Sequence, residues 1–177
     1  MASRLLSVAV YDRGDYSRGR MRQVFEYEAY HWGLLMGPEV PAAPDFWSFD
    51  ATDASEIDPV TFRMTNPTMD WLFRARDSVD LDTNSIILGR MVIGEVPEGM
   101  LFSELRDLLR AVPLPERNRE PQQSCVTWTV NAVKLLQERS LVPQFDLQTF
   151  KDQVLSYGDD RIKKEEALEP SVKYYSA

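Results

Sequence analysis

The apolar residues of this chain change rhythm once, near residue 96, and that change limits the folds open to it. Upstream they form short runs of the length and bounding typical of strands, over 5–11, 29–36, 46–52, 71–76 and 86–96. Downstream, Leu101, Leu105, Leu108, Leu109 and Val112 recur at spacings of three and four, an amphipathic helix that Pro113 closes. Further helices are expected over about 124–139 and 147–157, the latter capped by Asp146 and stopped by Gly158. Strands first and helices after is an α+β order, not a succession of βαβ units. The glycine- and arginine-rich segment 14–22 reads as a loop, and 53–68 as irregular chain.

With 177 residues and a hydrophobic fraction of 44%, the chain can build a core without a metal or a disulfide. The expected organisation is one domain over 1–158 followed by a charged tail over 159–177, either docked or disordered. Twenty Lys and Arg stand against 28 Asp and Glu, a net charge of −8, which argues against nucleic-acid and membrane-surface partners. No targeting signal or spanning segment is evident, so a cytoplasmic location is the default expectation. One cysteine and one histidine exclude an internal disulfide, a multi-thiolate zinc site and a His-rich metal centre, and no cofactor is called for.

Those two singletons stand in informative places. Cys125 opens the strongest helix directly after Ser124, a good N-cap, where unpaired backbone N–H groups and the positive end of the macrodipole favour a thiolate. The helix is apolar round most of its circumference, so Cys125 points into the body of the protein. A small buried hydrophobe is the bland alternative. His31 lies in Tyr30-His31-Trp32-Gly33-Leu34-Leu35-Met36, where alternation sets His31, Gly33 and Leu35 against Tyr30, Trp32, Leu34 and Met36. A histidine in so apolar a strand needs a hydrogen-bond partner, and Gly33 leaves room beside it for another group. A backbone carbonyl satisfying a core histidine is the bland reading here. Together the two residues have the placements that a thiol–imidazole dyad requires.

Tyr30-His31-Trp32-Gly33 on an early strand, with Ser124-Cys125-Val126-Thr127-Trp128 opening a late helix, resembles the circularly permuted NlpC/P60 group of papain-like cysteine domains. That group includes the lecithin:retinol acyltransferase-like proteins, in which the histidine precedes the cysteine. The motifs are also similar to those of a set of small fungal proteins. The resemblance covers roughly 5–138. It implies an antiparallel sheet packed against the cysteine-bearing helix, with Cys125 as nucleophile and His31 as base then acid. Ser124 departs from the Asn common before the cysteine in that group. The third polar member falls by the same match on Asp50, in Phe46-Trp47-Ser48-Phe49-Asp50-Ala51-Thr52, although alternation equally allows Asp50 to face solvent.

Trp32 beside the histidine, Trp128 one turn after the cysteine and Arg117 in the preceding loop are the candidate substrate contacts. For the tryptophans the core is the alternative, and for Arg117 it is an idle surface position. The implied activity is thiol-dependent hydrolysis or acyl transfer on an amide, ester or thioester of a small molecule or peptide. The alternative is a domain that has kept the fold, lost the activity and binds a ligand or partner.

Overall fold

The computed structural model describes residues 3–177, and within them the chain is mixed α+β. Six strands form one open sheet: β1 (Leu5–Asp12), β2 (Tyr30–Gly37), β3 (Phe46–Thr52), β4 (Leu72–Val79), β5 (Ile87–Glu95) and β6 (Val172–Tyr174). Their spatial order is β4-β3-β2-β1-β5-β6, antiparallel throughout except where β6 joins β5. Four α-helices accompany it: α1 (Gly19–Phe25), α2 (Phe102–Arg110), α3 (Cys125–Glu138) and α4 (Leu147–Arg161). Among the described residues no helix is long and apolar enough to cross a membrane.

β1 is the centre of the sheet because its side chains are apolar or small in both directions. Leu6, Val8 and Val10 enter the main core beneath the helices, while Ala9 and Tyr11 belong to a smaller cluster on the other face. The register sets Tyr11 against His31, Val10 against Trp32 and Ala9 against Gly33. Trp32, Leu34 and Met36 therefore join the main core, and His31 and Gly33 take the opposite face. α3 lies across β2 and β3 and buries Val126, Trp128, Ala132, Val133 and Leu136 there. Each large aliphatic or aromatic side chain so buried contributes about 1.5–3 kcal/mol.

Two local expectations are corrected and one open choice is decided. Segment 14–22 is not a loop: a 3₁₀ turn over Gly14–Ser17 leads into α1. Gly14 and Gly19 take positive φ at the breaks, and ion pairs from Arg18 to Asp12 and from Arg22 to Asp159 tie the turns down. Gly158 does not stop α4, which runs on to Arg161; its missing side chain leaves space for the Tyr30 ring, which a Cβ would meet at 3.0 Å. Of the two readings of the charged stretch from 159, the docked one is found. The Asp160 carboxylate accepts from the backbone N–H groups of Leu168 and Glu169, which turns the chain so that β6 pairs with β5.

Candidate active site

The apolar strand β2 presents His31 on the sheet face away from the main core, and β3 presents Asp50 to it. His31 Nε2 and Asp50 Oδ2 are 2.7 Å apart, so the Asp50 face of β3 is the His31 face of β2 and not a free solvent face. The backbone ladder between these strands is confined to Leu34–Met36. Near Gly33 the side chains take over: a Cβ there would lie 3.0 Å from Asp50 Cβ and 3.3 Å from the Phe49 carbonyl oxygen. The room left by Gly33 is thus occupied by Asp50.

Asp50 is held from a second side. Arg74, its cross-strand neighbour on β4, donates from Nε to Oδ1 at 2.9 Å and from Nη2 to Oδ2 at 2.6 Å, a two-pronged guanidinium contact. Burial alone would raise the Asp50 carboxyl; the hydrogen bonds with His31 and Arg74 outweigh it and hold the group down at about 2. The carboxylate is therefore ionised at any ordinary pH and acts as a fixed acceptor for the imidazole.

With Nε2 engaged by Asp50, Nδ1 is the ring nitrogen left for Cys125. Burial would lower the His31 pKa, but the neighbouring Cys125 and the hydrogen bond with Asp50 overcome that and push it up to about 10. Cys125 itself is free, 5% exposed, and the first residue of α3. The turn that carries it is fixed by Ser124, whose Oγ accepts from the Val126 N–H at 3.1 Å and donates to Glu28 Oε1 at 3.2 Å. Thr127 Oγ1 in turn accepts from the Ser124 N–H. On the other side of the imidazole the Tyr11 ring packs at 5.5 Å between centroids. Burial and the adjacent Asp50 carboxylate push the Tyr11 phenol well above its ordinary range, so it stays protonated.

The remaining expected residues fall elsewhere. Trp32 and Trp128 are fully buried in the main core, each with an indole N–H that has no partner, and neither is at a surface a substrate reaches as the chain stands. Arg117 lies in a surface cleft beside the loop that leads to Cys125. Among the described residues no three His, Cys, Asp or Glu side chains gather in a way that would hold a metal ion.

Arg74 and Tyr11 are the members that sequence reasoning missed. Both reach the site through strand pairing, Arg74 opposite Asp50 and Tyr11 opposite His31. The alternation of Arg74 and Arg76 along β4 was a visible signal, but only the strand order gives it meaning.

Gly33→Ala is a sharp test of this packing. The added methyl meets backbone on one side and, on the other, a carboxylate that His31 and Arg74 hold in place. The expected outcome is a loss of about 1–3 kcal/mol in chemical denaturation, together with a fall in the His31 pKa measured by NMR as Asp50 is displaced.

The model of a family of unknown function, DUF6914, matches residues 3–168. No curated protein and no solved structure matches the chain.

Proposed function

The chain belongs to the DUF6914 family, and we propose that it is a thiol-dependent hydrolase or acyltransferase with a papain-like, circularly permuted arrangement of its site. The observation that carries this reading is geometric: the His31 ring is bound through Nε2 to an aspartate that Arg74 grips with two hydrogen bonds, and Cys125 opens the capped helix α3. An imidazole oriented by a carboxylate, with a cysteine at a helix N-terminus, is the set of parts a thiol nucleophile uses.

In the proposed cycle the Cys125 thiolate attacks the carbonyl carbon of an amide, ester or thioester, forming a C–S bond. The carbonyl electrons move onto oxygen, where N–H groups at the start of α3 receive them; that of Val126 is already taken by Ser124. Collapse expels the leaving group, which takes the proton from His31. Neutral His31 then removes a proton from water or from an acceptor hydroxyl or amine, whose oxygen or nitrogen attacks the thioester carbonyl. The C–S bond breaks, the acyl group departs, and the thiolate–imidazolium pair is restored. Asp50, kept in place by Arg74, orients the ring and offsets the imidazolium charge, the part the third member plays in such triads.

The specific observation favouring a non-catalytic binder is the burial of Cys125 at 5% exposure. Alkylation separates the two readings. An activated thiol reacts with iodoacetamide at pH 6 at a rate well above that of free cysteine, and His31→Ala slows it without unfolding the protein. A thiol that reacts only after denaturant is added belongs to a buried structural residue.

A further inference from the structure

The loop that leads to Cys125 and the chain just beyond β3 share a cleft of about 390 Å³ with a strongly polar wall. From the β3 side come Asp53 and, across the 53–71 excursion, Trp71; from the 113–123 loop come Arg117, Asn118, Glu120 and Gln122. The floor is fixed in part by Gln123, two residues before Cys125, whose Oε1 accepts from the Glu116 N–H at 2.8 Å. Of the two arginines, Arg119 is paired with Glu116, whereas Arg117 has no ion-pair partner among the described residues.

We infer that this cleft selects the substrate: it takes a small, polar acyl compound that bears a free carboxylate, held by Arg117, with its N–H groups on Asp53 and Glu120. The inference rests on the thiol reading only for which bond is then cleaved. A guanidinium fork is the side chain best matched to a carboxylate, and a free fork beside two carboxylates suits a ligand with a separated acid and N–H donors. The Trp71 ring supplies a flat wall for the carbon skeleton between them.

A long apolar acyl chain is poorly matched to this polar lining. A predominantly apolar cleft, lined by Leu5, Ile93, Pro143, Phe145 and Tyr175, encloses about 360 Å³ and lies at the Leu5 end of β1. His31 pairs with Tyr11 at the other end of that strand, six residues and roughly 20 Å away. The polar cleft comes within two residues of Cys125 along the chain, whereas this apolar one lies at the far end of β1.

The test uses the full chain carrying Cys125→Ala, which binds without turning over, and calorimetric titration with N-acetylglycylglycine and its carboxamide. The expected result is that the free acid binds about tenfold or more tightly than the amide. Arg117→Gln in the same background should erase that preference, and Arg117→Lys, which keeps the charge but not the fork, should retain part of it. Equal binding of acid and amide, binding of neither, or a preference that survives Arg117→Gln overturns the assignment. Tighter binding of an octanoyl ester than of the acid does so too. Failure here is distinguishable from failure of the thiol reading: an acid preference intact in a protein whose wild-type Cys125 is inert to iodoacetamide sinks only the latter.

Discussion

Cys125→Ala is expected to reduce the acyl-transfer rate with an activated ester such as p-nitrophenyl acetate by at least about 10³-fold while leaving the fold in place. The chemical loss is large because no other side chain at the site can form the acyl intermediate. His31 is committed to Asp50, Asp50 to His31 and Arg74, and the Tyr11 phenol is kept protonated. The structural loss is small: one sulfur atom is removed from a residue at the edge of the core, which costs about 1 kcal/mol. Intact-mass measurement of the wild-type protein during the reaction should show one acyl group per chain, and the variant should show none. Undiminished turnover in the variant, with circular dichroism unchanged, would leave the thiol without a role.

Asp50→Ala should have the second largest effect, and it should be felt in stability as well as in chemistry. The carboxylate is the shared partner of His31 and Arg74, and its side chain is only 10% exposed. Removing it strands a guanidinium whose side chain is 30% exposed, so the expected loss is about 3 kcal/mol in urea denaturation, the low end for breaking a buried pair. Asp50→Asn keeps the volume and one acceptor, and should lose less stability while still depressing the acylation rate by roughly 10²–10⁴-fold. A change in neither quantity would return Asp50 to the reading in which it merely faces solvent.

Much of this arrangement was legible in residue order alone. Period-two strand geometry over Tyr30–Gly37 separates His31 from Tyr30 and Trp32, although the strand is buried on both faces, and Ser124 before Cys125 marks the helix start that the capping hydrogen bonds then show. The face of Asp50 was not legible, because Phe46–Thr52 is apolar on one side and short polar on the other, a pattern that fits either orientation. Only the pairing of β3 with β2 on one side and β4 on the other decides it. The same ladder information was needed for Arg74 and Tyr11. Helix α1 and strand β6 escaped notice for a different reason: each is short, and ion pairs and backbone capping hold it more than an apolar stripe does.

Whether Cys125 and His31 form one electrostatic unit is directly measurable, because the chain has a single histidine. The C–H resonances of that ring can be followed by NMR from pH 5 to 11 in the wild type and in Cys125→Ala. The wild-type ring should titrate at about 10, above its unfolded value near 6.5, so the stability linked to its protonation is complete below about 6.5 and is lost as pH rises toward 10. In the variant, burial persists but the thiol no longer supports the charge, and the midpoint should move down markedly while staying dependent on Asp50. A histidine that titrates at the same pH in both proteins would contradict the account, because the sulfur and the imidazole would then not sense each other.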